Sequence, residues 1–315
     1  MVRALAERGA SVVALVRDGA PASMFVREGW DRRVPVVCGG LEDLALLRRA
    51  MCEYDVDTVF HLAAQTLVGV GKNDPVGTLE SNVRGTWNLL EAARQCPVRQ
   101  IVVASSDKAY GASTRLPYLE THPMDGKYPY DVSKSCADLI CGMYAATYSL
   151  PVCVTRCGNL FGGGDLNFSR TVPGVIRSTL QGQPFLIRSD GKFVRDFLYV
   201  EDAVLGYLRL AECLAADRSL AGEAMNFSLE IRLTVLDLVR KVLQQMGRED
   251  LEPVIQNIAS GEIREQFMVA EKARRMLGWS PRYGLDQGLR NSIDWYTEFF
   301  RSTAEPARGV ETAPA

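Results

Sequence analysis

Short apolar runs rich in β-branched residues, at 11–16, 34–38, 58–62, 100–104 and 151–155, alternate along this chain with amphipathic stretches at 41–53, 77–95 and 131–148. No other feature narrows the possible folds as much. Within the stretches, apolar residues recur three and four apart, the repeat of one helical face; Leu79, Val83, Trp87, Leu90 and Ala93 form one such stripe. Turn residues bound the runs, Gly9 and Asp18-Gly19 around the first and Gly39-Gly40 after the second. Strands that alternate with helices need crossover connections, and crossovers cover both faces of a parallel sheet with helices. The predicted fold is therefore α/β, a Rossmann-like doubly wound parallel sheet. After Gly164 the pattern changes to helices at 170–181, 201–216, 233–247 and 285–301, with short strands near 185–188 and 193–199. That predicts a first domain over 1–165 and a smaller C-terminal α+β lobe over 166–302, partly interleaved with the sheet. Residues 303–315 carry no periodic pattern and are expected to be a disordered tail.

Charge and cysteine usage exclude several classes. With 36 Lys and Arg against 38 Asp and Glu, the net charge of −2 leaves no basic footprint for nucleic acid. The pairs Arg32-Arg33 and Arg274-Arg275 read as solvated element ends. No apolar run approaches the length of a bilayer span, and residues 1–9 are too charged for a signal peptide, so the expected location is cytoplasmic with no membrane partner. The eight cysteines form no Cys-x-x-Cys pair, and His61 and His122 are the only histidines, which argues against a zinc site at common spacings. Most of the cysteines fall inside apolar elements and read as small hydrophobes.

A doubly wound sheet that holds a dinucleotide opens with a strand, a glycine turn and a helix whose N-terminus receives the pyrophosphate. Residues 2–9 read as the end of such a helix and run into what should be the second strand; no glycine loop precedes them. The expectation is a start placed late. The alternative is a chain that lacks the loop, binds cofactor poorly and folds poorly. The run Gly162-Gly163-Gly164 is no substitute, because it follows a late strand and precedes Asp165 in a turn.

Two local patterns carry chemistry. Tyr130 and Lys134 stand four apart at the start of an apolar helix, so both side chains point to one face. A lysine ammonium beside a phenol favours the phenolate, which makes Tyr130 a usable base for a sugar hydroxyl. Ser105, Ser106, Asp107 and Lys108 lie just past the carboxyl end of the 100–104 strand, where ligands bind in open α/β sheets. Ser106 is placed to hydrogen-bond the hydroxyl that Tyr130 deprotonates; the plainer reading is a polar turn.

Together these residues resemble the extended short-chain dehydrogenase/reductases that act on nucleotide sugars, from residue 1 to about 300. The resemblance implies that Tyr130 and Lys134 are catalytic and touch a nicotinamide cofactor. It makes the segment His61 to Gln65, with Leu62, Ala63, Ala64 and Gln65, cofactor-contacting, and adds Leu41 beyond the third strand. Glu80 to Thr86 is similar to the family's "TNxxGT" helix, so Asn82 is carried over as a cofactor-site residue, or only as a tie between two loops. His61 itself reads as a strand-end residue. Asn159, in Arg156-Cys-Gly-Asn159, Arg195, in the stretch 194–202, and Arg264 match positions that contact the sugar diphosphate. Arg195 suits that role because a planar fork matches a pair of phosphate oxygens. Residues 270–281 resemble the family's closing "KA…LGW.P" element. Two departures stand out. Gly39-Gly40 replaces the Gly-Asp whose acid contacts adenine in many members. Where NAD-preferring members place an aspartate, this chain has Val16 and then Arg17. Arg17 either pairs with a 2′-phosphate, favouring NADP over NAD, or is a solvated strand end.

Within the family, 4-epimerases and 4,6-dehydratases both begin by oxidising C4 of the sugar. A dehydratase then needs a base for the C5 proton and an acid for the departing C6 hydroxyl. Ser106-Asp107-Lys108-Ala109-Tyr110 resembles the "SDKxY" of CDP-glucose 4,6-dehydratases more than the uncharged run of epimerases. This implies Asp107 as the acid and Lys108 in the place of the base, on a CDP- or GDP-hexose as the nucleotide-diphosphate sugar. Burial would keep Asp107 protonated and Lys108 would oppose it. The alternatives are a nucleotide-sugar 4-epimerase and a catalytically silent binding protein. The family's habit of pairing the 77–95 and 131–148 helices across a two-fold axis implies a homodimer through a four-helix bundle.

Overall fold

In the computed structural model, residues 1–259 and 262–304 are described; the expected tail from 305 onward lies outside them. The chain forms two compact units, interleaved in sequence. One contains Met1–Leu160, Val194–Arg232 and a stretch ending at Arg282; the other contains Phe161–Phe193 and stretches opening at Leu233 and Tyr283.

The first unit has the expected parallel α/β character. Strands β1 (Ala14–Val16) and β2 (Val36–Cys38) pair in parallel, with Ala14 opposite Val36. Strands β3 (Thr58–His61), β4 (Gln100–Ala104) and β5 (Val152–Cys157) continue in a second parallel sheet, which the strand Ala224–Phe227 closes beside β5. The expectation of one sheet is thereby modified: among the described residues, β1 and β3 are not hydrogen-bonded to one another. They share a core all the same. Leu15 and Val59 both pack against the cluster of Leu41, Leu47, Leu90, Ile101, Val103, Val152 and Val154. Val102 and Cys153 pack on the other side with Leu198, Leu210, Leu214 and Trp279. Neighbouring strand residues thus feed opposite cores, and β5 is buried at all six positions, as a parallel strand covered on both faces should be.

Helix boundaries follow local chemistry. Asp43 opens the helix Leu44–Glu53 by accepting the Leu46 N–H at 2.9 Å. Pro129 begins the long helix Pro129–Tyr148, where its missing N–H costs nothing. The stretch expected as one helix over 77–95 is instead Pro75–Leu79, a wide five-residue turn Glu80–Arg84, and Gly85–Arg94. The wider turn rotates one half against the other. The expected stripe is not buried throughout: Leu90 and Ala93 are buried, whereas Leu79, before the turn, and Trp87, after it, are 39% and 43% exposed. Gly85 lies at this joint because a Cβ there would stand 2.7 Å from that of Leu41.

The second unit packs the helices Thr171–Leu180, Val235–Gln245 and Leu285–Ala304 with a parallel pair, Leu186–Ile187 and Val254–Ile255. The Tyr296 hydroxyl bonds the carbonyls of Gly162 and Asp165, pinning the glycine turn to the last helix.

Candidate active site

The chain leaves β4 at Ala104 and makes one tight turn of helix, Asp107–Tyr110, capped by Ser106. Ser106 Oγ accepts the Lys108 N–H at 3.2 Å and donates to Asp107 Oδ1 at 3.0 Å. Lys108 Nζ lies 3.6 Å from the same carboxylate oxygen. Asp107 is fully buried, and its Oδ2 has no hydrogen-bond partner among the described residues. A buried carboxylate oxygen left unpaired is costly in an ionised acid and much less so in a neutral one.

The long helix starts beside this turn. Ser135 Oγ lies within bonding distance of the Ala109 carbonyl, 2.9 Å, and the Asp131 carbonyl, 3.0 Å. Lys134 donates to the Ala104 carbonyl at 2.7 Å, so the strand end and the helix are joined through that ammonium. Tyr130 and Lys134, one turn apart, are both buried. Desolvation holds Lys134 down to about 8, with the nearby Asp138 opposing it. An ammonium has three donors; one is used on Ala104, which leaves donors for ribose hydroxyls.

Asn82 makes the tie between two loops that one of its readings expects. Its amide accepts the Gln65 N–H at 2.7 Å, donates to the Gln65 carbonyl at 2.9 Å, and donates to Ser133 Oγ at 2.9 Å. The loop after β3 is thereby fastened to the Tyr130 helix. His61 bonds Thr86 Oγ1 at 3.1 Å, and burial lowers it to about 3, so it is a neutral strand-end residue. Leu62 and Ala63 are exposed at the carboxyl end of β3, with Ala64 and Gln65 half-buried behind them. These residues and Lys134 fit a nicotinamide ribose. The adenosine end is less well furnished, since Gly39-Gly40 offers no side chain. Leu41 spends its side chain in the core and its carbonyl on Asn88 at 3.0 Å. Arg17 is 87% exposed and turned onto Asp18 at 3.1 Å, the posture of a solvated strand end.

The residues expected at a sugar diphosphate come together. The Asn159 N–H donates to the Asp196 carbonyl at 2.8 Å, and the Val194 N–H to the Arg264 carbonyl at 3.0 Å. The buried Arg195 guanidinium holds the carbonyls of Val194 and Arg264 and pairs with Glu262 at 3.2 Å, while Arg264 itself is exposed. Tyr118 links this group to the turn: the charges of Asp107, Arg195 and Asp131 all bear on its phenol, although burial dominates its upward shift.

Three functional-looking features escape a sequence reading. Arg156 makes a two-pronged pair with Asp138, both bonds 2.8 Å, and donates to the Tyr110 hydroxyl at 2.8 Å. Asp131 is buried and pushed up to about 6, by burial first. Asp196 is fully buried and pushed up to about 7, again by burial first. Only the position of Asp138 one turn beyond Lys134 hints at its place; burial of Asp131 and Asp196 has no sequence signal.

Residues 1–226 match the family described as the NAD dependent epimerase/dehydratase family. A CDP-glucose 4,6-dehydratase of Salmonella typhimurium is 30% identical over 276 residues, 84% of this chain and 77% of that protein. A UDP-glucose 4-epimerase of Thermotoga maritima, solved with UDP-glucose, shares 25% identity and a TM-score of 0.86, covering 95% of this chain and 94% of its own. A dTDP-glucose 4,6-dehydratase of Streptomyces venezuelae, solved with NAD, shares 27% identity and a TM-score of 0.83, covering 94% and 92%. The dinucleotide in that relative is NAD, and the exposed Arg17–Asp18 pair lends no support to the NADP reading.

Proposed function

The chain belongs to the NAD dependent epimerase/dehydratase family, and within it we propose that it is a 4,6-dehydratase of a nucleotide-diphosphate hexose, working with NAD. The observation that carries this reading is Asp107: a fully buried carboxyl beside Ser106, with one oxygen unengaged among the described residues. A 4-epimerase has no use for an acid there.

Lys134 and the segment Leu62 to Gln65 would hold the nicotinamide end of NAD, which would supply hydride acceptance from C4 and its return to C6. The remaining chemistry belongs to the side chains. Tyr130 takes the proton of the C4 hydroxyl, its phenolate supported by Lys134. With C4 a ketone the C5 proton is acidic, and Lys108, in the place of the base, takes that proton and returns it to C5 as hydride reaches C6. Asp107 gives its proton to the C6 hydroxyl as the C6–O bond breaks and water leaves. Asn159, Arg195 and Arg264 hold the diphosphate, the fork of Arg195 already set by its carbonyl partners. The likeness to a CDP-glucose enzyme supports a cytidine diphosphate hexose as the substrate.

The 4-epimerase reading keeps one supporting observation, the close structural likeness to the Thermotoga maritima enzyme. Asp107→Asn separates the two. A dehydratase stalls with the sugar oxidised and the cofactor reduced, whereas an epimerase proceeds. The assembly that fits is a homodimer: Val76 and Leu139, 68% and 64% exposed, lie with Trp87, Met143 and Tyr148 on the outer faces of the two helical stretches.

A further inference from the structure

Two thiols with no part in the chemistry above face each other at the surface of the first unit, Cys52 Sγ and Cys96 Sγ standing 2.9 Å apart. Cys52 lies on the last turn of the helix Leu44–Glu53, and Cys96 follows the helix Gly85–Arg94 by two residues. The core fixes the backbone on each side. Met51 and Ala93, close neighbours of the two in the chain, are buried in one and the same cluster. The Cys52 carbonyl accepts the Asp55 N–H at 3.4 Å, and the Cys96 carbonyl the Val98 N–H at 2.8 Å. Arg48, one turn before Cys52, makes two more contacts across the same gap. Its guanidinium donates to Gln95 Oε1 at 3.3 Å, and its carbonyl lies 3.7 Å from Cys96 Sγ. The two sulfurs thus meet because packed elements bring them together.

A disulfide holds its sulfurs about 2.05 Å apart, so a movement of less than about 1 Å closes the bond. The two thiols differ in access. Cys52 is exposed and Cys96 half-buried. Burial first, and then the bond to Cys52, push the Cys96 thiol up to about 11. Cys52 is therefore the sulfur that a dissolved oxidant meets first, and Cys96 the one that completes the exchange.

We propose that Cys52 and Cys96 form a reversible disulfide that staples the end of one helix to the end of the other, making the stability of the first unit depend on the thiol–disulfide balance around it. The oxidant is a low-molecular-weight disulfide of the glutathione class. The Cys52 thiolate attacks one of its sulfurs; that S–S bond breaks, one small thiolate leaves, and Cys52 is held in a mixed disulfide. Cys96, no longer bonded to a Cys52 thiol, loses its proton to solvent and attacks Cys52 Sγ, expelling the second small thiolate. Two protein thiols are oxidised, one small disulfide is reduced to two thiols, and the two protons released from the protein end on these. The bond spans 44 positions of sequence and encloses β3, residues 62–65 and Asn82. A chain closed in this way has fewer unfolded conformations to gain.

The test equilibrates the full-length protein at pH 8 with excess glutathione disulfide, quenches it in acid, and maps its unreduced peptides by mass spectrometry. One joined pair is expected, holding Cys52 and Cys96, lighter by two hydrogens than the sum of its reduced parts and parted by dithiothreitol. The urea midpoint should rise on oxidation by on the order of 1 M. Cys52→Ser should abolish both the pair and the rise; should it fail to fold, the peptide map of the unchanged protein still decides. Cys38, also exposed, should take up glutathione and join nothing. Cys52 recovered only as its glutathione adduct, or joined to Cys38 or to a second chain, overturns the proposal. So does a midpoint that oxidation leaves unchanged or lowers. Cys96→Ala should trap the glutathione adduct on Cys52, and its absence there overturns the proposal as well.

Discussion

Lys134 is charged only below about pH 8, and two consequences follow at the level of single residues. The ammonium supports the Tyr130 phenolate while it is protonated, so sugar oxidation should decline as pH rises through about 8; a pH profile of cofactor reduction checks this, and Lys134→Met should remove the limb along with most of the activity. A lysine held below its ordinary value costs stability while charged, and that cost fades as pH climbs past about 8. Asp196 runs on the opposite sign. Its folded value is raised to about 7, so its contribution is fully present below the ordinary carboxylate range and is lost as pH rises through about 7. Asp196→Asn should therefore gain stability relative to the unchanged protein between pH 5 and pH 8 in denaturant titrations; a constant difference contradicts it. Tyr130, Lys134, Ser106 and Asp107 were legible in the sequence because each pair sits within a few residues at a recognisable element boundary. Asp131 and Asp196 were not, since the burial that perturbs them comes from segments distant in sequence.

The wide turn Glu80–Arg84 is the element that joins the loop after β3 to the helix Pro129–Tyr148. Asn82 there satisfies both backbone groups of Gln65 and reaches Ser133. Asn82→Ala leaves a part-buried N–H and C=O without these bonds, a loss of about 1–3 kcal/mol. Urea titration should show it, and apparent affinity for the dinucleotide should weaken in parallel as the loop loosens. A variant as stable as the parent would contradict the tie. The long helix has a second anchor in the buried Asp138–Arg156 pair. Removing one partner strands the other charge, so Asp138→Asn should cost about 3–5 kcal/mol, whereas an apolar double replacement should recover much of that. Helical periodicity located the stretch 77–95 and missed its break, because the repeat of apolar residues runs through the joint. At the break a side chain, Asn82, bonds a loop from another part of the chain, and periodicity does not record such bonds.

For the whole molecule, the alternation of strands and helices was enough to give the parallel α/β architecture, and both faces of β4 and β5 are packed as that architecture requires. The return of Val194–Arg232 to the first unit was less legible. It depends on pairings such as Ala224 with Val154, far apart in the chain. The same helices that cover the sheet leave Val76, Trp87, Leu139 and Met143 outward. The proposed homodimer should appear in static light scattering at micromolar concentration, and Trp87→Asp combined with Leu139→Asp should yield monomer; a monomeric parent contradicts the pairing. The central claim concerns the reaction, and mass spectrometry tests it most directly. The protein is incubated with NAD and a panel of CDP-, GDP-, UDP- and dTDP-hexoses. The expected result is one product lighter than its substrate by one water. A product of unchanged mass with inverted configuration at C4 would contradict the account and make the enzyme an epimerase.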